Sequence, residues 1–177
     1  MIKKILLVLA VIIAIPFITA LFVKQDYFVE RSIVINQANE TVYDYVKYLK
    51  NQNDFSKWAQ MDPNMEKTYK GNDGSVGFVS VWASKKPDVG VGEQEIIKII
   101  PNQRIDYELR FLSPFEATSP AYISFKPIDS NQTQVNWGFS GHMNYPMNLM
   151  MLFMDFETVI GNDLQQGLDN LKVILEN

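Results

Sequence analysis

The stretch from Tyr145 to Glu176 constrains the fold most. Leu149, Phe153, Phe156, Ile160, Leu164, Leu168, Leu171 and Leu175 recur there at steps of three and four, which predicts one long amphipathic helix with an apolar stripe along its whole length. Such a stripe needs an apolar partner. Most of the chain between Asp26 and His142 alternates with period two, so the expected partner is a curved sheet.

Taken in order, Tyr27–Ile35 is rich in aromatic and β-branched residues and reads as a first strand. Gln37–Glu40 opens a helix with Asn36 or Asn39 as N-cap, and Val42, Tyr45, Val46 and Leu49 form its buried face. Asn51–Asp54 breaks that helix, and a second short helical turn brings in Phe55 and Trp58 as aromatic plugs for one end of a core. Six further strands are expected at Met65–Lys70, Ser75–Ala83, Gly90–Ile100, Arg104–Leu112, Ala117–Lys126 and Thr133–Gly141. Gly, Pro, Asn and Asp clusters separate them, and the short connections imply antiparallel hairpins.

Alternation also assigns faces. Ile105, Tyr107, Leu109 and Phe111 share one side of their strand, while Asp106, Glu108 and Arg110 share the solvated side. Ala121, Ile123 and Phe125, then Val135, Trp137, Phe139 and Gly141, extend the inner surface, and Val76, Phe78, Ser80 and Trp82 are candidates to join it. This surface is strongly aromatic, which fits either a solid core or a pocket for an apolar ligand. The candidate lining is Phe78, Trp82, Tyr107, Leu109, Phe111, Phe125, Trp137 and Phe139, with Met150, Phe153 and Met154 from the helix start. The segment Met147–Met154 is apolar on nearly every side, which suits an adaptable lining, a buried position, or contact with a membrane or partner.

At the other end, Met1-Ile2-Lys3-Lys4 precedes an uncharged run from Ile5 to Val23 that stops at Lys24-Gln25-Asp26. As a helix this run spans roughly 28 Å at about 1.5 Å per residue, close to the ~30 Å hydrocarbon thickness of a bilayer. The basic start puts the N-terminus in the cytoplasm and the domain on the periplasmic or extracellular side of the cytoplasmic membrane. Residues 1–25 therefore read as a single-pass anchor and 26–177 as one domain. A cleaved signal peptide is the competing reading, although Ile18-Thr19-Ala20 places a bulky residue where a small one is needed. A buried soluble helix is the third.

Composition narrows the chemistry. The chain has no cysteine and one histidine, so thiolate chemistry and multi-histidine metal sites are ruled out. Its net charge is −4, or −6 once Lys3 and Lys4 are set aside, which argues against nucleic acid as a partner. Asp62-Pro63-Asn64 supplies too few ligands for calcium, and the glycines at Gly71, Gly74, Gly77, Gly90 and Gly92 open no helix and so make no phosphate loop. No metal or cofactor is expected. The acid/base candidates are His142, just past the last strand, and Glu93 and Glu95 on one strand face; any of them would need to point into a cavity to act. No residue is assigned as catalytic.

Several motifs in order resemble the START-like, helix-grip superfamily (SRPBCC proteins), in its polyketide cyclase/dehydrase and lipid-transport branch. They are Glu30–Asn36, Trp58 with Met61–Met65, Gly74-Ser75-Val76-Gly77, Gly90-Val91-Gly92-Glu93, Pro101–Ile105, and Trp137–Gly141 leading into Tyr145–Met151. The resemblance covers about Tyr27 to Glu176. It implies an α+β domain in which about seven antiparallel strands grip the C-terminal helix around a hydrophobic-ligand cavity. No catalytic motif of the superfamily maps onto this chain. The leading expectation is a membrane-anchored binder of a lipid or hydrophobic small molecule. The alternatives are a cyclase- or dehydratase-type enzyme on polyketide-like or aromatic substrates, and a protein or membrane interaction module.

Overall fold

The computed structural model describes all 177 residues. Helix α1 (Ile2–Ala20) is followed by β1 (Asp26–Ile35), α2 (Asn39–Val46), a 3-10 turn (Leu49–Asn51), α3 (Gln52–Phe55) and α4 (Lys57–Met61). Six strands come next: β2 (Glu66–Lys70), β3 (Val79–Ala83), β4 (Val91–Ile100), β5 (Arg104–Ser113), β6 (Ala117–Asp129) and β7 (Gln132–His142). A 3-10 segment (Met147–Leu152) and α5 (Phe156–Glu176) close the chain.

The strands form one seven-stranded antiparallel sheet in the order β1-β7-β6-β5-β4-β3-β2. Strands β2 to β7 follow one another as hairpins, the outcome that short turn-rich connections favour. β1 returns to pair with β7 along its full length, from Asp26↔His142 to Ile35↔Thr133. Helix α5 runs beside β1, from Phe156 stacked on Tyr27 to the Glu176 carboxylate, which accepts from the Asn36 N–H at 2.6 Å. The antiparallel grip anticipated from sequence is the architecture.

Four local expectations are corrected. The long terminal helix is divided, because Asp155 caps α5: its Oδ1 accepts from the Thr158 N–H at 3.0 Å and its Oδ2 from the Thr158 hydroxyl at 2.6 Å. The α2 N-cap is Ala38, and Asn39 lies inside the first turn, where its amide donates to the Asn102 carbonyl at 2.8 Å. Helix α2 ends at Val46, so Leu49, expected on its buried face, lies in the separate 3-10 turn that leads into α3. Val76 is exposed in the turn before β3 and does not line the inner face.

The core follows the alternation. Ile96, Ile105, Tyr107, Ile123, Phe125, Val135 and Trp137 point inward from consecutive strands, meeting Val42, Tyr43, Val46 and Leu49 from the α2 region and Leu164, Leu168 and Leu171 from α5. Phe55 and Trp58 both set edges against Trp137, at centroid distances of 5.7 and 6.4 Å. Gly167 allows this contact, since a Cβ there would stand 2.7 Å from the Trp137 ring. The α1 helix contributes little to this core: only Ala20 is buried, and its apolar side chains are exposed.

Candidate functional site

The inner face has two unlike ends. At the end where β1 finishes and β7 begins, α2 and the C-terminal half of α5 cover the sheet, and Phe78, Tyr107, Phe125 and Trp137 are buried in close-packed core. At the other end, where β1 begins and β7 finishes, cover is thinner. There Trp82, Leu109, Phe111, Phe139 and Tyr27 are half-buried.

These aromatics form a continuous arc across the sheet. Trp82 meets Phe111 at 6.1 Å between ring centroids, Phe111 meets Phe139 at 6.5 Å, Phe139 meets Tyr27 at 6.2 Å, and Tyr27 stacks on Phe156 of α5 at 5.4 Å. The arc can pass from β3 to β5 because Gly92 stands between Trp82 and Phe111 in the register. A Cβ at Gly92 would sit 2.5 Å from the Trp82 ring. Trp82 is further fixed by its indole N–H, which donates to the Val89 carbonyl at 3.2 Å. Gln94 of β4 and Ser119 of β6 are buried polar groups of the intervening strands. Burial pushes the Tyr27 phenol up from its ordinary value.

The eleven candidate lining residues thus separate into three groups. Phe78, Tyr107, Phe125 and Trp137 belong to the solid core. Trp82, Leu109, Phe111 and Phe139 meet at the open end. Met150 is half-buried in the 3-10 segment, while Phe153 is 85% exposed and Met154 is exposed. Phe153 and Met154 instead border a cavity of about 380 Å³ together with Lys24, Tyr27, Phe28, Met151 and Phe156, and the acidic Asp155 and Glu157 stand on the same border. Tyr27 and Phe156 belong to both the arc and this cavity, so the two adjoin.

The acid/base candidates do not reach the inner face. Glu93 and Glu95 lie on the outer side of β4 and accept from the Arg110 guanidinium at 2.6 and 2.7 Å, with Glu108 as a third partner. These charge-assisted bonds push the Arg110 pKa up. His142 is outward beside inward Gly141, and its Nδ1 lies 2.6 Å from Asp26 Oδ1. That hydrogen bond raises the His142 pKa above its usual value. A second, smaller hollow of about 240 Å³ occupies the outer face, where Arg104 lies over the Tyr122 ring at 3.7 Å. Burial and the Glu30 carboxylate push the Tyr122 pKa up to about 12.

Sequence reasoning missed two polar residues. Asp163 is half-buried on α5, one turn ahead of Gly167, and desolvation raises its pKa against the pull of Lys57. Asn148 is fully buried within the methionine-rich segment. Its amide nitrogen donates to Ala20 O at 2.7 Å and Val23 O at 2.9 Å, at the end of α1. A polar residue inside an apolar run was the available signal for Asn148; Asp163 stands between Asn162 and Leu164-Gln165-Gln166 and carried no such signal.

Comparison with known proteins agrees with this architecture. The sequence profile described as polyketide cyclase / dehydrase and lipid transport matches residues 28–176. The chain belongs to that family. Among solved structures, it resembles the Aha1 dimer from Colwellia psychrerythraea, with 16% identity, 85% of this chain and 96% of that chain covered, and a TM-score of 0.58. A Thermobifida fusca protein has 19% identity over 84% of this chain and 92% of its own, with a TM-score of 0.56. The two-domain ARO/CYC protein StfQ from the steffimycin biosynthetic pathway has 12% identity, a TM-score of 0.63, and coverage of 86% of this chain and 51% of that one. These identities speak to the family's helix-grip fold alone. No functionally curated protein matches the chain.

Proposed function

We propose that this family domain binds a hydrophobic small molecule or lipid at the open end of the grip, and that α1 anchors it to the cytoplasmic membrane with the domain on the periplasmic or extracellular side. The observation carrying the ligand reading is the half-buried aromatic arc from Trp82 to Phe156. Large aromatic rings left partly uncovered beside a recess are apolar surface available to an apolar guest. The family assignment supports hydrophobic-ligand binding on this scaffold.

The anchor reading rests on the 19-residue apolar helix and the basic residues at its start. A signal sequence would share both features, so intact mass of the membrane-extracted protein distinguishes the two. Glu93, Glu95 and His142 point outward, so none of these three reaches the arc, and Asp155 on the border of the adjoining cavity is held by Thr158 as the cap of α5.

The decisive experiment is organic extraction and native mass spectrometry of the full chain purified in detergent, beside Phe111→Glu and Phe139→Glu variants. A reproducible apolar adduct, lost in the variants while their circular dichroism is retained, is the expected result. An adduct-free protein that also leaves apolar fluorescent probes unbound overturns the binding reading.

A further inference from the structure

The open end of the grip is also the end from which α1 leaves. Asn148 makes this junction specific, because its buried amide bridges the Ala20 and Val23 carbonyls and so fastens the 3-10 segment Met147–Leu152 beneath the helix exit. Helix carbonyls near a C-terminus lack intrahelical donors, and here a side chain from the far end of the chain supplies them. In the fastened segment Met147 and Leu152 are exposed, while Leu149, Met150 and Met151 are half-buried.

Phe153 is 85% exposed, Phe22 84% and Leu152 55%, with Met147, Met154 and Phe28 exposed around them. Concentrated at one end of the domain, these residues form an apolar surface that water does not favour. The uncharged α1 helix is covalently continuous with that surface through Leu21–Val23. Where α1 lies in a bilayer, the surface stands at the membrane boundary, the depth at which aromatic and aliphatic side chains enter the headgroup region. Lys24, Asp155 and Glu157 also border the cavity and hold this end at headgroup depth, where the apolar stem and cationic head of Lys24 are suited to lie.

Resting on the anchor reading above, we propose that Met147–Phe153 is a membrane foot: it seats the open end of the grip in the outer leaflet, so that the cavity of about 380 Å³ between Lys24, Tyr27, Phe28 and Phe156 opens into lipid. A ligand then passes from the bilayer past Tyr27 to the aromatic arc without crossing bulk water. The attraction is apolar, since the domain beyond the helix is net acidic. Zwitterionic phosphatidylcholine is therefore a sufficient surface.

The chain has no cysteine, so single cysteine variants carry one label each. Full-length Ile12→Cys, Phe153→Cys and Val173→Cys, labelled with an environment-sensitive fluorophore and reconstituted in phosphatidylcholine vesicles, report on anchor, foot and far end of α5. The expected result is quenching of the first two by doxyl-labelled phosphatidylcholine and by aqueous iodide only at Val173, an exposed position. Lipid quenching at Ile12 with iodide quenching at Phe153 overturns the foot and leaves the anchor intact. Iodide quenching at Ile12 and Phe153 alike overturns both. A Phe153 label shielded from iodide yet untouched by doxyl lipid places a second copy of the chain on this surface, and likewise overturns the proposal.

Discussion

The two ends of the inner sheet face are built from the same strands and the same alternation, yet one is solid and the other open. Tyr107 and Phe111 sit two pleats apart on one face of β5; Tyr107 is 1% exposed while Phe111 is half-buried. The cause is cover, not composition. Over Tyr107 and Phe125 lies α2, whose Tyr43 meets the Phe125 ring edge-on at 5.6 Å. Phe111 and Phe139 instead meet each other, Trp82 and Tyr27, and reach the first turn of α5 only through Tyr27 stacked on Phe156. A strand pattern therefore determines which side chains face inward, while helices far away in sequence decide whether those side chains are packed or left available.

Truncation at the two ends puts that comparison at greatest risk. Trp137→Ala removes a ring wedged against Phe55, Trp58 and Gly167, and is expected to cost about 3–5 kcal/mol, as large aromatic truncations in cores do. Phe111→Ala should cost less than half as much and instead weaken apolar-probe binding. Urea unfolding of both variants, followed by probe titration, makes the check. Equal destabilisation would mean that the open end is packed as firmly as the closed one.

Asn148→Leu comes next. It is close in volume but leaves the Ala20 and Val23 carbonyls without their donor, and a buried polar group left unpaired costs about 1–3 kcal/mol. Asn148 Oδ1 is itself buried without a partner, and leucine removes that unpaired acceptor, so part of the cost is offset and the net loss falls toward the lower end of this range. The expected outcome is a lower thermal midpoint and greater protease sensitivity between Val23 and Tyr27. An unchanged midpoint would show that the helix exit is held by other contacts.

These positions also mark how far the sequence was legible. Alternation located all seven strands and the inward faces of β5, β6 and β7, because burial on one side of a pleat imposes a period of two. It failed at the start of α5 for a definite reason. Leu149 and Phe153 fall in step with the stripe from Phe156 onward, so periodicity ran straight through the Asp155 cap. Yet Asp155 with Thr158 three residues later is a helix-start signal of its own. The arc at the open end could be listed residue by residue but not separated from Phe78, Tyr107, Phe125 and Trp137, since that separation depends on where α2 and α5 come to rest. Asn148 was overlooked as a single polar residue in an apolar run, the kind of exception that only a neighbour explains, and Asp163 because it is one of several polar residues on its helix, beside Asn162, Gln165 and Gln166.

Asp163 supplies a smaller test of the same contrast. Burial raises its pKa, so its folded form holds a proton more readily than the unfolded chain does. The linked stability is therefore greatest at acid pH and declines as pH rises from the unfolded value through the folded one. Removing the charge should reverse the neutral-pH penalty: Asp163→Asn is expected to raise the thermal midpoint slightly at pH 7, with the difference vanishing toward pH 3. A midpoint lowered at pH 7 would mean that the carboxylate is paired and favourable there.

The smallest effect belongs to the outer rim of the open end. His142 is the only histidine, and the Asp26 carboxylate, 2.6 Å from its Nδ1, raises its pKa above the usual 6.5. A raised folded-state value means that the ion pair's contribution is fully present below pH 6.5 and is lost as pH climbs through the folded pKa. Both groups are exposed, so solvent screening keeps that contribution small. One imidazole in the chain makes the NMR titration unambiguous. Asp26→Asn should return the midpoint toward 6.5 and flatten stability across that window, while leaving probe binding at the arc unchanged, because Asp26 and His142 point away from the inner face. If binding shifts with the His142 titration, the rim and the arc are coupled, and the open end responds to pH as well as to lipid.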